Sequence, residues 1–384
     1  MLEKAFQGST RYWTLLGFWA VVILAGLAAY SRQWSEGLAI TGMSRDVTWG
    51  LYIAQFTFLV GVAASAVMVV IPYYLHDYKA FRPMVILGEF LAVSAVVMCM
   101  LFIFVDLGQP RRVLNMVLHP SPHSVMFWDM VVLFGYLVLN LVIGSVGLEA
   151  ERQGEKPPAW IKPLVYLSIP WAVSIHTVTA FLYSGLAARP FWMTPILAPR
   201  FLASAFASGP ALLILLALVL RKTTRFDPGK EAIQKLATIV TYAMVVNLFF
   251  VLVELFTAFY GGMPHHVEPF EYLFAGLDGK SVLAPWMWAS ALLTLGCVAL
   301  LLFPGVRRQE SLLAVLCAAV IAAIWIEKGL GMVVTGFVPS PLGTITEYRP
   351  TAPEILITLG VYALGFLVLS VFCKIVVGVR EQLA

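Results

Sequence analysis

Two carboxylates lie inside long apolar runs of the sequence. Glu254 stands in VVNLFFVLVELFTAFY and Glu327 in AAIWIEKGLGMVV. If these runs are membrane helices, a charged side chain at the helix centre costs roughly 2.5–3.5 kcal/mol on insertion scales. Each carboxylate therefore needs a partner or a proton, and both are candidates for proton transfer. Lys328 follows Glu327, and adjacent helical residues do not face each other, so a Glu254–Lys328 ion pair is one candidate arrangement.

A second set of polar side chains could hold a small polar ligand. His176 and Tyr183 fall on one helical face together with Thr179. Gln55 lies two turns into another apolar run, with Trp49 above it. His176 on its own is more often a hydrogen-bonded packing residue, so both roles stay open for it.

Four further polar residues stand near the ends or in the opposite halves of apolar runs. Asp106 is either an end cap and loop anchor or a proton carrier. Asp129 lies in the first turn of its helix, where the helix dipole favours a carboxylate. Glu89 and Asn140 stand in the other halves of neighbouring runs. Glu89 is a candidate for a proton relay and equally for a structural hydrogen bond between helices.

The histidines and cysteines exclude two kinds of metal site. Haem held by two histidines needs pairs at matching depth on facing helices, and only His176 is predicted to be buried. The cysteines lie in apolar stretches without a CxxC motif, so an iron–sulfur or zinc site of the protein itself is not expected. They are interpreted as small packing residues: Cys99, Cys297, Cys317 and Cys373.

The composition places these residues in a membrane protein. The 384 residues are 60% hydrophobic and 12% charged, whereas a soluble domain carries about 25% charged residues. The net charge of +4 is small and dispersed, so a nucleic-acid partner is not expected. The N-terminal apolar run predicts a first membrane helix rather than a removed signal peptide.

Ten apolar stretches are long enough to cross a bilayer, which takes roughly 20 helical residues. The predicted fold is therefore an all-α integral membrane domain over residues 1–384. Its spans are residues 12–30, 48–75, 84–105, 124–148, 161–186, 200–220, 236–260, 284–303, 311–336 and 354–376.

The basic residues predict the orientation. Of the 25 Lys and Arg residues, 16 flank the spans on the side of both termini and 8 on the opposite side. The positive-inside rule then places both termini in the cytoplasm, in a multi-pass protein of the inner membrane. In this orientation most intramembrane polar residues lie in the outer half.

The third helix and the loop after it resemble those of a known family. The segment reads FIFVDLGQPRRVLNMVLHPSPHSVMFWD, which is similar to the NrfD/polysulfide-reductase membrane subunits. Their pattern matches Asp106, Leu107, Gly108, Pro110, Arg111, Ser124 and Trp128. The segments WGLYIAQF and PSPLGTITEYRPTAPE look closest to the DsrP branch, which is linked to sulfite reduction. They resemble the related subunits of high-molecular-weight cytochrome complexes nearly as well.

The resemblance implies a subunit that exchanges electrons between menaquinone and a periplasmic, ferredoxin-like iron–sulfur subunit. Iron–sulfur clusters and haems would belong to partners, which include cytochrome subunits. Family members have two four-helix bundles, here helices 2–5 and 6–9, with helices 1 and 10 added. The candidate quinone-binding residues are Trp49, Gln55, His176, Tyr183, Asp129 and Arg111. The candidate proton-relay residues are Glu254, Glu327, Glu89 and Asp106.

Two other functions remain open at this point. A secondary transporter often has helices broken by Gly or Pro at mid-depth, and Pro170, Gly329 and Gly331 could break theirs. A purely structural membrane anchor without a quinone site is the other alternative.

Overall fold

A computed structural model describes residues 2–383 and is built from helices. Ten of them are long and apolar enough to cross a membrane, as predicted. In chain order, α1 to α10 are Thr10–Ile40, Leu51–Leu75, Lys79–Asp106, Val125–Gln153, Ile161–Ser184, Leu197–Thr223, Lys230–Gly261, Ala284–Leu301, Glu310–Thr335 and Ala352–Gln382. We call the side where α1 begins the terminal side and the opposite side the distal side.

Several helices run past their apolar stretches. Helix α7 begins at Lys230, six residues before the predicted span, and α10 continues to Gln382. Backbone hydrogen bonds within a helix do not require hydrocarbon, so a helix continues until a turn residue ends it. Gly262, with φ +60°, ends α7, in the left-handed conformation that glycine adopts without strain.

The two predicted four-helix bundles are present, formed by α2–α5 and α6–α9. Helix α2 also contacts α6 and α9 of the second bundle. Every residue from 51 to 70 is buried as a consequence. Helix α2 therefore lies in the centre of the molecule and joins the two bundles.

The two additional helices pack on each other, and α10 also packs on α3. Gly26 and Gly360 lie at the crossing of α1 and α10. A Cβ added to Gly26 would come within 2.7 Å of the Cα of Gly360. Small residues allow this close approach between helix backbones.

Two helices are irregular in the middle of the membrane layer. Helix α2 is interrupted by a turn at residues 64–66, which the sequence analysis did not anticipate. Helix α9 has a π-helical segment, Trp325–Gly331, which includes the two glycines expected to break it. Pro170 lies inside a continuous helix. Of the predicted breaks, only the one in α9 corresponds to a distortion, and that helix stays continuous.

A buried carboxylate connects the distal ends of α2 and α10. Glu354 accepts hydrogen bonds from the backbone N–H groups of Gly42 (2.7 Å) and Thr351 (2.8 Å) and from the Tyr348 hydroxyl (2.7 Å). The Tyr348 oxygen in turn accepts from the N–H of Leu51 at 2.7 Å. Burial, and then the charge of Glu354, raise the pKa of Tyr348, so its hydroxyl remains a donor.

Candidate functional site

A hydrogen-bonded triad lies where α2, α9 and α10 meet. Gln55 is 1% exposed, and its Oε1 accepts from the indole N–H of Trp325 at 2.7 Å and from the Tyr362 hydroxyl at 2.7 Å. Trp325 begins the π-helical segment of α9. We call Gln55, Trp325 and Tyr362 the glutamine triad.

An apolar cavity of about 340 Å³ adjoins the glutamine triad. Trp325 and Tyr362 line it, and the remaining wall is almost entirely aliphatic and aromatic, with Leu59 and Val62 from α2. Phe366 also lines it and is 38% exposed, so the cavity extends to the lipid-facing surface between α9 and α10. Ligand sites are typically cavities of about 300–1,000 Å³ with apolar walls and a few polar groups. The cavity therefore suits an apolar ligand with a polar head.

The other side of α2 carries a packed aromatic cluster. Trp49 lies against Tyr183, with ring centroids 5.3 Å apart, and stacks on Trp192 at 5.6 Å. The Tyr183 hydroxyl is hydrogen-bonded to Thr57, and the Trp192 indole donates to the carbonyl of Met332 at 2.9 Å. These polar atoms are already paired within the protein. Trp49 and Tyr183 are thus brought together, but away from Gln55.

A third polar group lies within the first bundle. Thr179 donates to Oδ1 of Asp129 at 2.8 Å. His176 is fully buried, and its Nδ1 lies 2.8 Å from the carbonyl of Ala172. This contact makes Nδ1–H the donor, and Nε2 has no partner among the described residues. His176 therefore keeps one free acceptor nitrogen in the bundle interior.

The second bundle contains an ionic cluster formed by Arg200, Glu254 and Glu327. The guanidinium of Arg200 bonds to both carboxylates, and all three side chains are about nine-tenths buried. Asn247 donates to Glu327 at 3.4 Å. The proposed Glu254–Lys328 pair was wrong, because Lys328 points elsewhere. Arg200 opens the predicted span 200–220 and lies in the first turn of α6.

Glu89 lies in the interior of the first bundle, in the half nearer the terminal side. It is 1% exposed, and neither carboxyl oxygen has a hydrogen-bond partner among the described residues. Asn140 donates to the carbonyl of Tyr136 at 2.7 Å and makes no hydrogen bond to Glu89 in the described part of the protein. Burying an ionised carboxylate without a partner is costly. Glu89 is therefore well placed to take up a proton.

Asp106 and Arg111 lie at the distal end of α3 and in the loop after it. Oδ1 of Asp106 is buried, with no hydrogen-bond partner in the described part of the protein. Arg111 is exposed, and its guanidinium lies 5.8 Å from the ring centre of Trp34 on α1. Neither residue belongs to the glutamine triad.

The structure thus divides the predicted site residues among separate groups instead of one site. Sequence reasoning missed Trp325, Tyr362 and Arg200. The only signal for Trp325 was its position two residues before Glu327. Tyr362 carried no signal, because a lone Tyr in an apolar helix is unremarkable without its neighbours.

A family model described as "Polysulphide reductase, NrfD" matches residues 39–338, which is most of the sequence. The chain belongs to the NrfD family. The matched range contains Gln55, Trp325 and the ionic cluster, whereas Tyr362 lies beyond it. Helices α1 and α10 fall essentially outside the match, consistent with their position as additions to the two bundles.

Curated relatives support this NrfD-family membership. A provisionally named membrane subunit of a dimethyl sulfoxide reductase from Halobacterium salinarum is 26% identical over 95% of this chain and 91% of its own length. A selenate reductase subunit of Mesobacillus selenatarsenatis is 23% identical over 69% of each protein. An Hdr-like menaquinol oxidoreductase integral membrane subunit of Archaeoglobus fulgidus is 25% identical over 65% of this chain and 62% of its own. The alignment with the Halobacterium protein extends the similarity to nearly the whole length of this chain.

Proposed function

We propose that this protein is the quinone-reactive membrane subunit of a respiratory oxidoreductase complex. The observation that carries the proposal is the apolar cavity with the glutamine triad at its polar end. A quinone has that chemistry, because two carbonyl oxygens on a flat ring continue into a long apolar tail. The Trp325 indole or the Tyr362 hydroxyl would turn its hydrogen from Gln55 Oε1 to a quinone carbonyl oxygen, while the other donor stays on Gln55. Leu59 and Val62 would contact the apolar part.

The names of the relatives favour the same assignment. They include a menaquinol oxidoreductase subunit and a polysulfide reductase component of Wolinella succinogenes, which is 24% identical over 42% of this chain and 56% of its own. Menaquinone is accordingly the quinone that we propose. We also propose that both termini are cytoplasmic, in the inner membrane. A periplasmic iron–sulfur subunit would bind the distal side, with haems and clusters in partner subunits, in a pathway linked to sulfur compounds.

Quinol oxidation supplies two electrons and releases two protons, so the protein must move protons away from the cavity. Glu254 and Glu327 remain relay candidates, because Arg200 provides a single cation for two carboxylates. Glu89 is the candidate on the terminal side, and Asp106 on the distal side. The bound quinone supplies the redox chemistry, and these side chains hold or transfer protons.

The proposal is tested by filling the cavity in the intact, purified complex. Val62→Trp places an indole in the cavity and should abolish both bound quinone and quinol-dependent reduction of the partner's clusters. Leu356→Trp is the matched control, because Leu356 lies on α10 and is 44% exposed. Bound quinone is measured by solvent extraction and chromatography, and cluster reduction by absorbance.

Tyr362→Phe tests the polar end of the same site. Loss of one hydrogen bond worth about 1–1.5 kcal/mol should weaken quinone binding about tenfold without changing assembly. If Val62→Trp retained quinone and wild-type turnover, the cavity would not be the site. A wild-type complex without quinone or an iron–sulfur partner would contradict the function itself.

One observation favours a transporter as the second candidate. The turn at residues 64–66 interrupts α2 in the buried centre of the molecule, as in transporters with discontinuous helices. Uptake of labelled sulfite by the purified protein in liposomes would support that function, and its absence alongside quinol turnover would leave the redox function.

A further inference from the structure

Lys328 is a buried lysine at the contact between the two bundles. It is 3% exposed. Its Nζ lies 4.2 Å from the ring centre of Phe201, and its one hydrogen-bond acceptor among the described residues is the Phe201 carbonyl at 3.5 Å. An ammonium group has three donors, so most of its hydrogen-bonding capacity is unmet there. This environment costs a charged lysine more than a neutral one.

The ionic cluster beside Lys328 opposes that cost. With Arg200 protonated and both Glu254 and Glu327 ionised, the cluster has a net charge of −1. A protonated Lys328 brings the total to zero, and a neutral Lys328 leaves −1. Burial therefore favours the neutral amine of Lys328, whereas the negative charge of the ionic cluster favours its ammonium form.

The other titratable groups around Lys328 come from the first bundle. They are Cys99 on α3 and His176 on α5. Both are buried, and His176 has the free Nε2 described above. Neither supplies a negative charge at neutral pH, so the carboxylates of Glu327 and Glu254 are the groups that balance the lysine.

A line of polar groups leads from Lys328 towards the terminal side. The position that a Cβ on Gly61 would occupy lies 3.5 Å from Lys328 Nζ and 3.3 Å from the Ser208 hydroxyl oxygen. Ser65 stands four residues after Gly61 on the same face of α2, inside the interrupted segment. Its hydroxyl is fully buried and has no hydrogen-bond partner among the described residues.

Beyond Ser65, the interrupted segment of α2 packs against α3 at Gly88, one residue before Glu89. A Cβ added to Gly88 would lie 3.2 Å from the Cα of Ala66 and 3.7 Å from the carbonyl oxygen of Ser65. Glu89 is the next residue on α3, and both of its carboxyl oxygens lack a partner within residues 2–383. The interruption of α2 thus packs against the residue before the buried acid. The side chain of Glu89 itself begins on the side of α4, because its Cβ lies 3.2 Å from a Cβ added to Gly144, so water has to span the gap between Ser65 and the Glu89 carboxyl.

We infer that Lys328 is a proton-carrying residue that passes protons between the ionic cluster and Glu89 through the interrupted segment of α2. The ammonium of Lys328 gives one proton to the Glu89 carboxylate, by way of the Ser208 and Ser65 hydroxyls and intervening water. A neutral amine and a carboxylic acid result. A proton released by quinol oxidation converts the Glu327 carboxylate to a carboxylic acid, which then returns that proton to the amine, so that Lys328 and Glu327 regain their starting states. Trp325 stands three residues before Lys328, on the same π-helical segment, so the cavity and the proton line share one element.

The inference rests on the proposed function, and two substitutions in the intact complex test it. Lys328→Gln removes the charge and the proton, whereas Lys328→Arg keeps the charge but cannot release its proton. A proton-carrying lysine predicts that both variants lose at least about tenfold in quinol-dependent turnover while retaining wild-type amounts of bound quinone. The control is Lys280→Gln in an exposed distal loop, which should turn over like the wild type.

The outcomes separate the possible roles of Lys328. Recovery of turnover by Lys328→Arg would show that only the charge matters, and wild-type rates in both variants would show no role; either overturns the inference. If the lysine variants fail to assemble, Ser65→Ala decides, because it removes one hydroxyl of the line and should also slow turnover several-fold. Normal turnover in Ser65→Ala would then refute the route. Variants that bind quinone but turn over slowly are consistent with the proposed function. A wild-type complex that contains no quinone would refute that function.

Discussion

At the scale of single residues, one arginine holds the two buried carboxylates of the second bundle. Arg200 bonds to both Glu254 and Glu327, at depths where an unpaired charge is costly. The sequence predicted that both acids need a partner, and Arg200 is the partner of both. The cluster therefore has a structural role in addition to any role in proton transfer.

Arg200→Gln should leave two carboxylates without their cation. Removing one partner of a buried ion pair costs about 3–5 kcal/mol, so we expect a loss of that size in the free energy of unfolding of the purified protein. Adding Glu254→Gln should restore part of it. The control is Arg221→Gln, whose pair with Glu310 is about a quarter exposed and should contribute at most about 1 kcal/mol. Equal losses in the two single variants would contradict this assignment.

Tyr348→Phe removes a hydroxyl that joins Glu354 to the N–H of Leu51. An unsatisfied buried group costs about 1–3 kcal/mol, and a fall in melting temperature of the purified protein should report it. Tyr272→Phe is the matched control, because Tyr272 is equally buried but its hydroxyl has no partner among the described residues. A similar fall in both variants would show that the hydrogen bonds of Tyr348 are not the cause.

At the scale of elements, the π-helical segment of α9 directs neighbouring side chains to different places. Trp325 points to the glutamine triad, Glu327 to the ionic cluster and Lys328 to the contact between bundles. π-Helical turns are rare and frequent at functional sites. Within seven residues, α9 thus serves the cavity, the cluster and the proposed proton line.

The pairing of α1 with α10 gives a prediction at the same scale. Gly26→Val would force side-chain atoms against the backbone of Gly360, where a Cβ alone already reaches 2.7 Å. Overpacking typically costs about 1–3 kcal/mol, and thermal unfolding should show it. Gly17→Val on the same helix is the control, because nothing in the described structure lies within 4 Å of an added Cβ. Equal stability of the two variants would mean that α1 and α10 do not cross closely.

At the scale of the whole molecule, α2 connects the two bundles, and α10 closes the outer side of the cavity. The cavity wall combines α2 and α3 with helices of the second bundle and with α10. The family match ends at residue 338, so Tyr362, which helps to form this cavity, comes from a helix outside the matched range. A protein without α10 would lack Tyr362 and would expose Gln55 and Trp325 to lipid.

The orientation of the whole molecule is a prediction that labelling can test. The four native cysteines are buried, so single introduced cysteines will dominate the signal. Leu342→Cys on the distal side, at a position 79% exposed, should react with a membrane-impermeant maleimide in intact cells. Lys222→Cys at the terminal side should react only after lysis. The reverse pattern would overturn the positive-inside assignment.

The sequence by itself determined the ten spans and the need for partners of Glu254 and Glu327. These follow from local composition, because the length of an apolar run and the cost of a charge within it do not depend on neighbouring helices. It also predicted the two bundles through the resemblance in the DLGQP segment.

Only the tertiary structure decided which side chains meet. Gln55 contacts Trp325 and Tyr362 instead of Tyr183. Because α2 is packed on all sides, the rotation of the helix about its own axis determines which neighbouring helix the Gln55 side chain meets. Arg200 replaces Lys328 as the partner of Glu254, since a π-helical turn changes the direction of each side chain in it. Such contacts join residues up to 312 positions apart, and no local pattern records them.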